Sequence, residues 1–428
     1  MTFIESVILI LGLVNFFRLS AITVLSVVYE RVIKARQIKK DPINTDNTVT
    51  KSNYRYRPLV SVIIAAFNEE KVIKRTLRAL YNSTYKKFEV IVVNDGSQDK
   101  TEDKILEYIS ENPQNKIVYV YQKNQGKAHA LNNALKNYIN GKIVMSLDAD
   151  SAVRSDALEH AVNYFRNRNV KALATNVKIL PSFSPIGLIQ RVEYLMGYHL
   201  KKALTVGNFE YIIGGVGSMF RASTVKKVGY YDTDTITEDI DLTMKLVRMG
   251  NKKNLLVYAE DVVVYTESTL SVGALFKQRF RWKFGRFQTF WKNKDLFFNK
   301  GNKYTKFLTF VYLPFQLFSE FTFMFDPLFI GYILILTIKY ANPASYYGMF
   351  LFLMFYTAIA VVTDNEASTK EKSFLLLLTP FSYLIFFIVS IVEYAGLIKC
   401  ILKWREIIYA KDYNRCSWVP VARAGIEV

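Results

Sequence analysis

The apolar positions fall into three patterns along the chain. The first is a continuous run, Ser6 to Val28, about 34 Å long as a helix and so able to cross the hydrocarbon core of a membrane. Glu5 precedes it, no Lys or Arg does, and no small-x-small site follows, which argues against a cleaved signal peptide. Arg31, Lys34, Arg36, Lys39 and Lys40 come next. The positive-inside rule then predicts an N-terminus outside and a cytoplasmic domain after the run. Asp41 to Ser52 is polar and reads as a linker.

From Leu59 the pattern changes to short apolar runs separated by helical periodicity. Leu59–Phe67, Phe88–Asn94, Ile117–Tyr121 and Ile143–Leu147 read as buried strands. Val72–Tyr81, Lys100–Ser110 and Lys127–Tyr138 read as the helices between them. Strands alternating with helices predict a mostly parallel sheet covered on both faces. Polar residues follow each strand, at the carboxyl edge where such sheets bind ligands. No G-x-G-x-x-G follows the first strand and no P-loop is present, which removes the main support for dinucleotide and ATPase readings.

Beyond Lys306 the chain turns apolar again, near Phe307–Ile338, Tyr346–Val362 and Phe374–Ile398. Pro314, Glu320 and Asp326-Pro327 interrupt the first of these. It is therefore one tilted span, a hairpin, or an interfacial helix followed by a span. Three crossings would put the C-terminus outside, yet the tail carries Lys399, Lys403, Arg405, Lys411, Arg415 and Arg423. Those charges prefer the inside, so an even number of C-terminal crossings is expected.

Composition sharpens this picture in two ways. The 428 residues carry a formal charge of +19. A nucleic-acid binder would explain that charge, but no zinc spacing, helix-turn-helix or RNA-binding signature appears. Basic cytoplasmic flanks and an anionic substrate explain it better. Cys400 and Cys416 are the only cysteines, too few for a disulfide framework, as expected in a reducing compartment.

The candidate chemistry starts at Asp148 and Asp150, just after the fourth strand. In an extended segment residues two apart point the same way, and hard divalent cations take one or two carboxylates of this kind plus substrate phosphates. The competing reading is an ordinary strand-end turn. His129, His160 and His199 are scattered, without a metal-ligand partner at helical spacing. Arg18, midway along the first apolar run, is expected to face Glu320, Asp326 or Glu393, to line a polymer channel, or else to snorkel to an edge. Taken as a helix, Val272–Lys292 carries Phe276, Phe280, Phe284, Phe287 and Trp291 on one face. Gln278, Arg281, Trp282 and Gly285 lie on the opposite face, with Lys277, Lys283 and Arg286 towards the flanks. Such a helix tends to lie in the membrane interface. The Phe stripe is expected towards lipid or the transmembrane bundle, with Gly285 a point where the helix could break.

Seven motifs follow in order: AAFNEE at 65–70, NDGSQDKT at 94–101, NQGKAHALN at 124–132, LDADS at 147–151, GGVGSMFR at 214–221, ITED at 236–239 and QRFRW at 278–282. Together, over Leu59 to Trp282, they resemble the processive family-2 glycosyltransferases, which include synthases of cellulose, chitin, hyaluronan and poly-N-acetylglucosamine. The resemblance implies an α/β, GT-A (Rossmann-like) cytoplasmic domain flanked by transmembrane helices. It implies a UDP-sugar donor, with Asp95 on the nucleotide base and Asn68 and Glu69 nearby. Asp148 and Asp150 would hold Mg²⁺ or Mn²⁺ against the diphosphate, and Lys127 would add positive charge or be a solvated helix residue. Asp239, with Glu238 beside it, would be the general base of an inverting transfer; the same residues also suit a helix N-terminus. Gly215 would lie near the acceptor sugar. Gln278, Arg281 and Trp282 would form the floor or rim of the site, with Arg281 towards the diphosphate and Trp282 on the acceptor.

The expected division is a membrane helix at 1–30, a basic linker at 31–57, the transferase domain at 58–270, the amphipathic helix at 271–305, membrane helices at 306–400 and a basic cytoplasmic tail at 401–428. The expected activity is elongation of a β-linked polysaccharide at a cell membrane, with export through the chain's own helices. The expected partners are membrane lipid and the polymer, with room for accessory export or modifying subunits and no role for nucleic acid. Three competitors stand beside it: single transfer to a lipid-linked acceptor, a catalytically silent membrane subunit, and a channel.

Overall fold

A computed structural model describes residues 3–38, 56–181, 184–322, 344–409 and 425–426, with isolated positions between 331 and 339. The four expected strands form within a residue of their predicted bounds: β1 (Val60–Ala66), β2 (Phe88–Asn94), β3 (Ile117–Tyr121) and β4 (Ile143–Asp148). They pair in parallel in the order β3-β2-β1-β4. Helices α2 (Ile73–Tyr81), α3 (Thr101–Glu111) and α4 (Lys127–Asn137) are the crossovers between them. The β1 and β4 side chains are almost all buried on both faces, which is why these strands read as unbroken apolar runs.

The sheet continues past β4 with mixed pairing. The other strands are β5 (Ala152–Val153), β6 (Val170–Ile179), β7 (Ser218–Arg221) and β8 (Leu255–Thr266). The full order is β3-β2-β1-β4-β7-β6-β8-β5, with β7 antiparallel to both its neighbours and β6 parallel to β8. Helices α5 (Ala157–Tyr164), α6 (Pro185–Gly207), α7 (Ala222–Lys227) and α8 (Glu238–Arg248) lie between these strands in sequence. The α6 helix starts on Ser184, whose hydroxyl accepts from the Gly187 amide at 3.0 Å, with Pro185 in its first turn.

The apolar ends are helical. The first helix, α1, is continuous from Phe3 to Ile38, so the basic residues expected to open a linker are still helical as far as Arg36. It is tied to the sheet domain: Tyr29 donates to the Tyr258 carbonyl at 2.7 Å, and Ser26 Oγ lies 2.9 Å from His199 Nε2. The amphipathic helix α9 runs from Val272 to Lys292, the predicted bounds, without a break at Gly285. Past it come α10 (Leu313–Thr322), α11 (Ala344–Val362), α12 (Thr369–Leu378), α13 (Ser382–Leu402) and α14 (Trp404–Tyr409). Two stretches, Leu13–Ile33 and Thr369–Leu402, are long and apolar enough to cross a membrane, the second with a short 3-10 turn at Thr379–Phe381. Most of their residues are not buried in the protein, the opposite of a soluble core helix. The linker at 39–55 and Asp326-Pro327 lie outside the described residues, and so does the number of C-terminal crossings.

Among the described residues Arg18 forms no ion pair with Glu320 or Glu393, and Asp326, the third partner expected for it, lies outside them. Its side chain is exposed on α1. Glu320 and Glu393 are instead engaged by α9. Lys283 Nζ lies 2.7 Å from Glu320 and 2.9 Å from Glu393, Arg286 also pairs with Glu320, and Arg279 lies 2.5 Å from Glu193 of α6. Lys283 and Arg286 were expected on the flanks of the helix, but Lys283 is only 2% exposed. A lysine can be buried at this depth because two carboxylates meet it there.

Candidate active site

The site lies along the carboxyl ends of β1, β2 and β4 and the N-terminus of α8. Asn68 follows β1 in the left-handed region, at φ 57°, which its short polar side chain tolerates. Its amide donates to Ser97 Oγ at 3.0 Å, and its side-chain oxygen accepts from the Gln98 amide at 2.8 Å. The Glu69 amide donates to Thr101 Oγ1 at 2.7 Å. The turns after β1 and β2 are thus stitched together. Asp95, buried after β2, accepts from Gln122 Nε2 at 2.7 Å and from the amides of Gln125 and Gly126 at 3.0 and 2.8 Å. Its carboxylate therefore holds the turn that starts α4.

That turn delivers Lys127. Its Nζ lies 2.5 Å from Asp148 Oδ1 and 3.4 Å from Glu238 Oε1. Burial works against its charge, but Asp148, Glu238 and Asp239 outweigh burial and hold the ammonium above its ordinary range. One lysine thus joins the D-x-D strand end to the start of α8.

Asp148 and Asp150 stand in a turn and not in an extended segment. The strand ends at Asp148, and the Ser151 amide bonds back to the Asp148 carbonyl at 3.1 Å. This turn breaks the extended alternation on which the expectation rested. Asp148 is part-exposed beside Lys127, whereas Asp150 is 3% exposed and accepts from Ser151 Oγ at 3.2 Å. The Asp150 carbonyl accepts from Arg75, which also pairs with Glu267 at 2.6 Å. The C-terminal segment reaches the same place: the Ile426 amide donates to Glu267 at 3.0 Å, and its carbonyl accepts from Arg75. Ile426, in the tail expected simply as a basic cytoplasmic end, thus lies at the edge of the site.

On the other side, Thr237-Glu238-Asp239 opens α8, with Glu238, Asp239 and Asp241 in its first turn. The N-terminal end of a helix favours such charges. Asp239 Oδ1 accepts from the Ile240 amide at 2.9 Å. Withdrawal from water and the charge of Glu238 push its carboxyl up to about 6, against the pull of Lys127 and Arg281. Gly215 faces this group: a Cβ there would stand 3.2 Å from Lys127 Nζ and 3.5 Å from Asp239 Oδ2. Only a residue without a side chain leaves this gap open. Gly214 and Gly217, at φ 68° and 66°, set the turn around it.

The QRFRW face of α9 meets the site in part. Arg281 acts on Asp239 electrostatically. Gln278 accepts from Gln190 of α6 at 3.2 Å, so it joins two helices. The Trp282 ring has the Arg279 guanidinium 4.3 Å above its centre. The Phe stripe goes to the helical bundle: Phe284 and Phe287 are buried against Leu397 and Cys400 of α13 and Ile407 of α14. Gly285 packs on Thr237, where a Cβ would overlap the threonine side chain.

Among the described residues three carboxylates come within 4.8 Å of one another at Asp232, Asp234 and Asp241. A cation already fills that cluster. Lys292 Nζ lies 2.6, 2.6 and 2.8 Å from them. Sequence reading missed this cluster and its lysine, because the partners are some 50 to 60 positions apart. The donor set at Asp148 and Asp150 suits a hard cation, as two hard-oxygen groups two residues apart. The ammonium on Asp148 shows that this strand end attracts positive charge.

The model of the family described as glycosyl transferase family 2 matches residues 61–229. A poly-beta-1,6-N-acetyl-D-glucosamine synthase of Staphylococcus aureus is 34% identical over 261 residues, 60% of this chain and 59% of that protein. Its counterpart from Staphylococcus epidermidis is 33% identical over 251 residues, 58% of this chain and 59% of that protein. The alignments thus span less than two thirds of either relative. Among solved structures, the mannosyltransferase PcManGT from Pyrobaculum calidifontis, in complex with GDP-Man and Mn²⁺, superposes with a TM-score of 0.54 at 20% identity. It covers 90% of this chain and 98% of that one, and shows the likeness of fold.

Proposed function

We propose that this chain is a family-2 glycosyltransferase of the polysaccharide-synthase type, which elongates a β-linked polysaccharide from a UDP-sugar at the cytoplasmic face of a membrane; the match of residues 61–229 to the family model supports the reading. The observation that carries this reading is the bridge made by Lys127, 2.5 Å from Asp148 and 3.4 Å from Glu238, with Asp239 next in the chain. It sets a cation between a carboxylate that can hold a metal ion against a donor's diphosphate and a carboxyl that can take a proton. Such a transfer needs both ends: charge stabilisation where the leaving diphosphate departs, and a base on the opposite side for the acceptor hydroxyl.

In this reading Asp239 takes the acceptor hydroxyl's proton as that oxygen attacks the anomeric carbon, and the configuration inverts. Gly215 leaves the space in which the acceptor approaches Asp239. Lys127 and Arg281 face the diphosphate. Asp95, Asn68 and Glu69 shape the nucleotide end. A Mg²⁺ or Mn²⁺ ion would be held by Asp148 and Asp150 and would supply further neutralisation of the leaving group. Trp282 and Gln278 line the acceptor side. The apolar stretches at Leu13–Ile33 and Thr369–Leu402 anchor the domain to the membrane. Similarity to poly-beta-1,6-N-acetyl-D-glucosamine synthases makes UDP-N-acetylglucosamine the first donor to test.

The test is incubation of the full-length protein, in membranes or detergent, with individual labelled UDP-sugars and Mg²⁺ or Mn²⁺, followed by sizing of the products. A ladder of lengths from one donor is expected. A single lipid-linked addition would support the non-processive reading instead, and no incorporation from any UDP-sugar would contradict both.

A further inference from the structure

We propose that Gln288 and Lys292, two and three turns beyond Arg281 on α9, are positioning residues that hold the base-bearing end of α8 in place. The inference rests on the reading of Asp239 as the general base. At 100° per residue Arg281, Gly285, Gln288 and Lys292 fall within about 60° of one another on the helix. The face that opens with the QRFRW motif therefore continues to the end of α9.

Each later residue on that face takes hold of the segment leading into α8. Residues 231–237 form neither strand nor helix, so their backbone groups need partners from elsewhere. Gln288, 4% exposed, supplies one: its side-chain oxygen accepts from the Ile236 amide at 3.1 Å, three residues before Asp239. Gly285 admits Thr237, itself buried, against the helix backbone. Lys292 binds Asp232 and Asp234 before α8 and Asp241 inside its first turn, at 2.6, 2.6 and 2.8 Å. Asn293 Nδ2 adds a bond to the other Asp241 oxygen at 3.2 Å. Lys245 of α8 takes the second oxygen of Asp232 at 2.6 Å and the Tyr230 carbonyl at 2.8 Å.

Asp241 is 0% exposed, so its charge needs a partner. Without Lys292 three like charges would crowd together and the segment would spread. Asp239 lies between the two anchored points, the Ile236 amide and Asp241. Its distance from Lys127, Arg281 and Gly215 is therefore set by α9, and a displacement of about 1 Å can cost about a hundredfold in rate.

The test uses the full chain with UDP-N-acetylglucosamine as donor, comparing Gln288→Met, Lys292→Met and Lys292→Arg with the parent. The Met variants are expected to lower kcat by about tenfold or more, with the donor KM within about twofold, because the groups at the nucleotide end are untouched. Lys292→Arg, which keeps the charge, is expected to restore most of kcat. Hydrogen exchange over residues 230–240, which needs no turnover, is expected to quicken in Gln288→Met, and this variant carries the test if Lys292→Met does not fold. Unchanged exchange in Gln288→Met, kcat within twofold of the parent in the Met variants, or a rise in donor KM alone would overturn the proposal. Asp239→Asn in the same assay separates the two levels. If it keeps its turnover the base reading fails. If it loses turnover while the Met variants do not, only the positioning fails.

Discussion

The two ends of the site are held in different ways. The proposed donor end, at Asp95, Lys127 and Asp148, is built from turns that directly follow consecutive parallel strands. Asp95 holds the turn of Gln125 and Gly126, and that turn delivers Lys127 to Asp148. The proposed base end, at Glu238 and Asp239, depends on contacts from distant parts of the chain. Gln288 and Lys292 fix the approach to α8, while Lys283 and Arg286 tie the same helix to Glu320 and Glu393. The contrast says where substitutions should act. Changes at the donor end should alter binding, and changes at the base end should alter turnover, even when made far from the reacting atoms.

The largest expected effect breaks the comparison at the base itself. Asp239→Asn should lower turnover by about 10² to 10⁴-fold, the usual contribution of a general base. UDP affinity, measured by calorimetry, should stay within about twofold. A comparable loss of UDP binding would mean that the two ends are not separable.

Next in size is Lys283→Met. It leaves Glu320, which is 5% exposed, and Glu393 with a lost partner. Removing one member of a buried ion pair costs about 3–5 kcal/mol. Thermal unfolding should show that loss, and Lys283→Met with Glu320→Gln should recover part of it. A full-strength fold in the single variant would show that α9 is not anchored through this pair.

Asp148→Asn sharpens the other side. It should weaken UDP binding in the presence of Mg²⁺ or Mn²⁺ by about tenfold, one charged partner's worth at a part-exposed site. Equal binding with and without the ion, in parent and variant, would remove the metal from the donor end.

The smallest effect is a shift along the pH axis. As the proposed base, Asp239 would act only when ionised, and its carboxyl is pushed up to about 6 by burial and by Glu238. Turnover should rise through that pH and level off above it. Glu238→Gln removes a charge that raises the carboxyl, so the rising limb should move to lower pH. A limb that stays in place would mean that another group sets it.

The same contrast explains what the sequence made legible. Strands β1 to β4 appeared as apolar runs because both sheet faces are covered, and the polar residues after them mark the carboxyl edge. The bounds of α9 were legible from its aromatic period; the structure adds Ser271, which caps it by accepting from the Ala274 amide at 3.1 Å. Antiparallel β7 was not legible, since four residues give too short an alternation. Lys283 looked like a flank residue because its partners Glu320 and Glu393 lie 37 and 110 positions away. Gln288 and Lys292 lie outside every short motif, and their roles depend on a segment some 50 residues earlier. The burial of Asp150 was hidden by a turn that forms one residue after the strand.

The most direct test of the account is the length and anomeric configuration of the product that the full chain makes from UDP-N-acetylglucosamine, read by NMR. Attack on the face opposite the diphosphate, with Asp239 as base, predicts a chain of many residues joined by β linkages from the α-configured donor. An α-linked product, or one sugar added and no more, would contradict it.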